Sequence, residues 1–391
     1  MGPLAGPGLA GALGVTLKGR KVVYLVSEDW YFCSHRLPLG IAAREAGAEV
    51  VVATRVNDHR TQIEAAGLRI APIEMQRSGA NPFTDLATIR QITKLYRHEK
   101  PDLVHHVALK PILYGGYAAK RAGVPAIVNA VAGMGFIFIS NSRFARTARP
   151  LIARAQRALM NRANTRTILQ NPDDVEMYTQ RIGVSPNRLT IIPGAGVDID
   201  QFTVVPEPFS VPTAVCVSRM LRDKGIHELV AATRLLHAKG VELRVRLVGP
   251  TDDNPASIPH ATLAEWNREG VVEVVGPSED IAGEYARAHI AVLPSYREGL
   301  PKSLLEAAAC GRPMVATDVP GCREICIDGE TGLRVPAHTI EPLADALERL
   351  VLDPALRQRL GENARCRAET IFAEKIINAQ TLALYEEMLA R

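Results

Sequence analysis

Short apolar runs alternate with longer amphipathic ones over most of this 391-residue chain. In the first half, residues 21–27, 49–54, 68–74, 102–107, 126–131 and 167–170 are mostly apolar and short, and read as strands. Residues 37–46, 85–98, 112–122 and 151–161 lie between them and carry apolar positions three and four apart, the spacing of a helix with one buried side. The second half repeats the rhythm, with strands at 214–217, 243–248, 271–275, 290–293 and 314–316. Its helices fall at 227–238, 263–268, 281–286, 303–309 and 342–352, with more helical sequence from 362 onward. Apolar strands alternating with helices predict parallel sheets covered on both faces, an α/β fold. Residues 204–212 hold Pro206, Pro208 and Pro212 and read as a linker. The expected plan is a flexible leader at 1–19, doubly wound domains at 20–203 and 213–370, and a last helix at 371–391. Two such domains facing each other would bind ligands in a cleft beyond the carboxyl ends of their strands.

Composition narrows the class. With 47% hydrophobic and 23% charged residues the chain has the balance of a soluble globular protein. No run of about 18 apolar residues occurs, so no bilayer span is expected. Six cysteines without CxxC or metal spacing indicate reduced thiols and a cytoplasmic location. Charge is uneven. Residues 1–200 carry 25 Lys and Arg against 15 Asp and Glu, and residues 201–391 carry 21 against 27. The basic half has no aromatic-interleaved strand or recognition helix, which argues against nucleic acid. An anionic membrane surface or anionic lipid acceptor fits it better. Arg143, Arg146, Arg149, Arg154, Arg157, Arg162 and Arg166 fall in a stretch without an acid. Arg146, Arg149, Arg154 and Arg157 are the expected membrane contacts of a basic amphipathic helix, and 136–139 is either a lipid-facing loop or a buried strand.

Candidate chemistry concentrates in the second half. Glu298 lies in the loop before a helix and Glu306 inside it, eight positions on, with Gly299 and the first helical turn between them. Unpaired N–H groups and a partial positive charge there favour a diphosphate, and acids on either side can accept hydrogen bonds from sugar hydroxyls. Arg219 and Lys224 lie on another strand-to-helix loop and suit a diphosphate leaving group. The first strand is followed by Glu28-Asp29-Trp30-Tyr31-Phe32 rather than G-x-G-x-x-G, which speaks against a nicotinamide enzyme. Ser34 is the expected cap of a helix beginning at His35-Arg36. Gly133 and Gly135 either allow a ligand close to the backbone or make a tight turn. His105 reads as a core histidine; His106 is either a second core histidine or, like Lys110, a reach toward a ligand phosphate. Arg36 either contacts a diphosphate-bearing ligand or only solvates a helix start. Asp198 and Asp200 spell D-x-D in a turn, and no metal site is expected of them.

Taken in order, Glu298-x7-Glu306, Ser218-Arg219-x4-Lys224-Gly225 and Pro193-Gly194-Ala195-Gly196-Val197-Asp198 resemble the family 4 retaining glycosyltransferases of the GT-B fold. The likeness runs from about Lys21 onward. Trp30 to Leu39 and Gly133 to Phe138 resemble a bacterial branch that extends polyprenyl-diphosphate-linked glycans for capsule, O-antigen or N-glycan assembly. The resemblance implies that Glu306 binds the ribose of a UDP-sugar and that Glu298 holds the donor sugar, helped by the Gly299 and Leu300 N–H groups. Arg219 and Lys224 would stabilise the departing diphosphate without a metal or other cofactor. The last helix would pack back on the first domain. Many members carry a His after the fifth strand where this chain has Ala132, so no base is carried over. The expected protein is a peripheral enzyme of the cytoplasmic membrane face. It would pass a hexose or N-acetylhexosamine to an undecaprenyl-diphosphate-linked saccharide. Transfer to a soluble acceptor, a UDP-sugar 2-epimerase and a non-catalytic nucleotide-binding module are the alternatives.

Overall fold

The computed structural model of the protein describes residues 15–75, 82–131, 143–252 and 254–390. The chain forms two compact units, one running to Ala195 and resuming at Lys375, the other Gly196–Glu374.

In the first unit, in chain order, the elements are β1 (Lys21–Glu28), α1 (Asp29–His35), α2 (Leu37–Glu45), β2 (Glu49–Arg55), α3 (Arg60–Ala65), β3 (Arg69–Pro72), α4 (Pro82–Glu99) and β4 (Leu103–Val107). They continue with α5 (Leu109–Ala122), β5 (Ala126–Ala130), α6 (Arg143–Met160), β6 (Thr165–Leu169), α7 (Pro172–Met177) and β7 (Leu189–Ile191). The seven strands form one sheet in the order β3-β2-β1-β4-β5-β6-β7, with parallel pairing throughout. β1 shows why both faces are covered. Val22, Tyr24 and Val26 point into one core and Val23 and Leu25 into the other, the period of two that a pleat imposes.

The second unit holds β8 (Thr213–Val217), α8 (Ile226–Ala238), β9 (Arg244–Val248), α9 (His260–Arg268), β10 (Glu273–Gly276), α10 (Ile281–Ala286) and β11 (Ile290–Leu293). It continues with α11 (Lys302–Ala309), β12 (Met314–Thr317), α12 (Cys322–Ile325), β13 (Gly332–Val335), α13 (Glu341–Leu352) and α14 (Pro354–Arg367). Its six parallel strands run β10-β9-β8-β11-β12-β13. The strand order reverses between β1 and β4 and between β8 and β11, so the loops at those strands' carboxyl ends are the natural ligand positions. The final helix, α15 (Glu374–Leu389), returns to the first unit, where Tyr385 donates or accepts hydrogen bonds with Tyr24 (3.1 Å) and His105.

Several expectations change. The leader does not reach residue 19, because Leu17 is 1% exposed in the first core and its N–H bonds Ala46 O; residues 1–14 lie outside the described residues. The division between units falls at Ala195 and not in 204–212. That segment is stitched to the second unit by Arg312, which donates to Val205 O, and by Arg357, whose guanidinium grips the Glu207 carboxylate at 2.9 and 2.8 Å. Asp29 starts a helix that apolar periodicity did not announce, so Ser34 sits inside α1 and donates to Tyr31 O rather than capping. β7 and β13, three and four residues long, are strands that the pattern of apolar runs did not mark. Among the described residues, no helix is long and apolar enough to cross a membrane.

Candidate active site

β8 pairs with β11, and this register brings the loops after them side by side. The first loop contains a short 3-10 turn, Arg222–Lys224, closed by Gly225 at φ +69°. A side chain at Gly225 would collide with Pro294 O, so only glycine lets the two loops touch. They are sewn together by Tyr296, whose N–H bonds Asp223 O and whose hydroxyl donates to Glu228 at 2.6 Å. Lys224 Nζ donates to Glu298 Oε1 at 2.5 Å, and Ser295 Oγ donates to the same oxygen at 2.6 Å. Lys224 and Glu298 are 15% and 14% exposed, so this ion pair sits in a recess, not on the surface. Two residues separated by 74 positions, chosen from the sequence for separate ends of one ligand, are thus in contact.

α11 begins at Lys302 directly after Glu298-Gly299-Leu300-Pro301. It is buried on almost every side, by Leu304, Leu305, Ala307, Ala308 and Ala309, which takes Glu306 inward with them. Glu306 is 7% exposed. Burial pushes its carboxyl up to about 7, with Lys302 Nζ at 3.5 Å opposing the rise. A buried carboxylate whose pKa burial raises is suited to a ligand that donates hydrogen bonds to it. Gly321, at φ +82°, lets the loop before α12 lie on the Gly299 carbonyl, where a Cβ would clash.

Arg219 is on the same loop as Lys224 but its Nη1 donates to Asp252 Oδ2 at 2.6 Å. Asp252, which carries no sequence signal of its own, therefore orients Arg219. Ser295, Tyr296, Glu228 and Gly321 had no sequence signal beyond their neighbourhood, because what selects them is contact between loops far apart in the chain. Asp198 Oδ1 accepts the N–H groups of Asp200 and Gln201, which makes the D-x-D segment a local turn.

The first-unit candidates fare differently. His106 is fully buried, its Nδ1 paired with Asn129 Oδ1 at 3.0 Å and its Nε2 with Tyr96 OH at 3.1 Å. Desolvation pushes its pKa down to about 4. His106 is therefore the core histidine of its two readings, and its assignment as an acceptor-phosphate contact is corrected because both ring nitrogens are buried and paired. His105 is buried as expected. Arg36 is 6% exposed, with Nη1 donating to Gly194 O, so the solvating role is excluded. Lys110 opens α5 with Nζ 4.0 Å from Asp85. Arg154 and Arg157 are exposed on α6 and Arg149 is half-buried, while the Arg146 side chain, Gly133, Gly135 and 136–139 lie outside the described residues.

This fold and site define a class, the GT-B glycosyltransferases. The chain belongs to the group 1, family 4-like glycosyltransferases: residues 21–169 match the family profile described as glycosyl transferase 4-like, and 211–353 match that of glycosyl transferases group 1. A similar protein is the N,N'-diacetylbacillosaminyl-diphospho-undecaprenol alpha-1,3-N-acetylgalactosaminyltransferase of Campylobacter jejuni, 28% identical over 90% of this chain and 95% of its own. The capsular polysaccharide biosynthesis glycosyltransferase CapM of Staphylococcus aureus is 30% identical over 44% of this chain and 45% of its own. Among solved structures, sucrose-phosphate synthase of Thermosynechococcus elongatus superposes with a TM-score of 0.78 at 23% identity, over 95% of this chain and 99% of that one. HepE of Anabaena, solved in complex with UDP, superposes at 0.76 and 18%, over 94% and 100%.

Proposed function

We propose that this enzyme transfers a hexose or N-acetylhexosamine, with retention, from a UDP-sugar to an undecaprenyl-diphosphate-linked saccharide in the assembly of a bacterial surface glycan or glycoprotein glycan. The observation that carries this reading is the recessed Lys224–Glu298 pair next to the N-terminus of α11, with buried Glu306 within that helix. Glu306 takes the ribose hydroxyls of the nucleotide. The diphosphate lies against the helix start and Lys224, with Arg219 swinging to it from Asp252. Glu298, released from Lys224 by the incoming phosphate, accepts a hydroxyl of the donor sugar, and the Gly299 and Leu300 backbone supports it.

The bond from the anomeric carbon to the diphosphate breaks, and the acceptor oxygen bonds to that carbon on the same face. The acceptor proton passes to the leaving phosphate oxygen, so no enzymic base is required. Lys224 and Arg219 oppose charge that is largest as the bond breaks, and positioning supplies the rest. This field replaces a metal ion in the proposed reaction. Arg36 and Lys110 are the proposed contacts of the acceptor phosphates, and the enzyme works peripherally on the anionic cytoplasmic membrane face. The lipid-linked acceptor is supported by similarity to the Campylobacter transferase over nearly its whole length.

A donor screen with a polyprenyl-diphosphate-linked saccharide, read by mass spectrometry, tests the proposal. The expected result is one added hexose or N-acetylhexosamine from a UDP-sugar. Conversion of UDP-GlcNAc without any acceptor would indicate an epimerase instead.

A further inference from the structure

The steps β3 to α4 to β4, β4 to α5 to β5 and β5 to α6 to β6 all move the same way across the first sheet. Right-handed crossovers then put α4, α5 and α6 in one layer, and α5 packs against both neighbours. Inward, this layer closes on the core that holds Val23, Leu25, Ile92, Tyr96 and Ala118. Outward, its surface is unusual. On α4, residues 83, 86, 90, 94 and 97 recur along one side and all are exposed. They are Phe83, 85% exposed, then Leu86, then Arg90, Lys94 and Arg97. α5 adds Tyr117, Lys120 and Arg121, and α6 adds Leu151, 72% exposed, with Arg154 and Arg157.

The sequences of these three helices contain two acids, Asp85 and Glu99. Asp85 is half-buried beside Lys110. Glu99 is buried and bound to Lys21 and Arg69. Seven exposed cations on the layer therefore face outward with no exposed carboxylate on the same helices. The other side of the sheet is mixed, with Arg44 beside Glu45, Arg60 paired to Glu64, and Glu386 and Glu387 exposed on α15.

We propose that the outer face of α4, α5 and α6 together, and not the arginine helix alone, is a docking surface for an anionic lipid leaflet. Phe83, Leu86 and Leu151 enter the headgroup boundary while the cations sit over the phosphates. The exposed aliphatic side chains among the cations favour lipid over nucleic acid, which would leave Leu86 and Leu151 uncovered. The three helices also begin on the side of the sheet where β3, β4 and β5 end. Phe83, Leu86 and Lys110 are thus at the sheet edge where β1 delivers the chain to Arg36. Docking there brings that edge to the bilayer, the arrangement a lipid-linked acceptor requires; this last step rests on the proposed function.

Flotation with vesicles of phosphatidylglycerol and phosphatidylethanolamine at physiological salt tests the surface. Replacing Arg90, Lys94 and Arg97 together by Gln should weaken partitioning about 100-fold. Phe83→Ser with Leu86→Ser should also weaken it, while keeping the salt dependence. Both variants should match wild type in circular dichroism, thermal unfolding and UDP binding. Either variant floating as well as wild type would remove α4 from the surface. Preference of the wild type for polyuridylate over vesicles at equal phosphate would overturn the lipid assignment. Turnover of detergent-dispersed lipid-linked acceptor by a protein that does not float would refute the docking surface and leave the proposed function standing. Flotation without any transfer would do the reverse.

Discussion

Glu306→Gln separates what the fold needs from what the ligand needs. Folding raises this carboxyl from 4.5 to about 7, chiefly by burial. The folded protein therefore holds the proton more tightly than the unfolded chain does. The stability this contributes is complete below about pH 4.5 and is lost as pH rises through 7. At pH 8 the ionised Glu306 costs the fold about 3 kcal/mol, by the shift times about 1.4 kcal/mol per unit. A glutamine side chain has the same shape and no charge. Some of the gain is lost because a buried amide also needs partners, leaving about 2 kcal/mol, or a rise in Tm of about 5 °C. UDP binding should move oppositely. A ribose diol donates to a carboxylate, and loss of that charged acceptor costs about 1.5–3 kcal/mol, a 10- to 150-fold weaker Kd. Below pH 7 protons compete with the nucleotide, so wild-type affinity should fall toward tenfold per pH unit while the Glu306→Gln variant stays flat. Calorimetric titration with UDP at pH 8.5 and 6, beside thermal unfolding at pH 8, measures all three effects. Unchanged UDP affinity in the variant, or a lower Tm at pH 8, would refute the assignment of Glu306.

Lys224→Ala and Arg219→Ala should each lower kcat more than donor affinity, because the diphosphate charge they oppose grows in the transition state; an unchanged kcat with a raised KM would show uniform binding instead. Transfer should survive excess EDTA, and abolition with rescue by Mn²⁺ would overturn the metal-free leaving-group site. Replacing Arg146, Arg149, Arg154 and Arg157 by Gln should weaken vesicle binding by two to three orders of magnitude, roughly, and leave UDP titrations unaltered; a quadruple variant that stays bound at physiological salt removes α6 from the surface. Glu99, held down to about 2 by Arg69 and Lys21, contributes stability that is present above pH 4.5 and lost as pH falls toward 2. Because both partners are partly solvated, Glu99→Gln should cost about 2 kcal/mol at pH 7, and equal denaturant midpoints for wild type and variant would contradict this.

Much of the architecture was legible in the sequence because parallel sheets buried on both faces demand continuous apolar strands. Val22 to Val26 has no polar position, so neither face of β1 could be solvated. The longer helices of both halves announced themselves by apolar positions three and four apart, whereas the short α1, α3, α7 and α12 did not. The placement of Glu298 and Gly299 before α11 and of Glu306 inside it was legible for a related reason: these residues are local, and a helix start follows from its own segment. What pattern could not supply was the partner of each group. Nothing in the spacing says that Lys224 meets Glu298, that Asp252 holds Arg219, or that Gly225 and Gly321 are the points where loops touch. Those pairings follow from strand order, and strand order is a tertiary choice. The same holds for burial. His105 and His106 are adjacent and chemically identical, and only sheet packing shows that both are buried and paired, His105 with Tyr385 and His106 with Asn129 and Tyr96. Residues 204–212 carry the prolines of a linker, but a buried arginine and an ion pair fixed them to one unit. The sequence alone determined which segments had to be strands and which helices, since those depend on properties a residue carries with its neighbours. Only the tertiary structure decided which charges are paired, which are buried, and which of the basic helices share one outward face, since solvent access and distance do not exist until the layers are assembled.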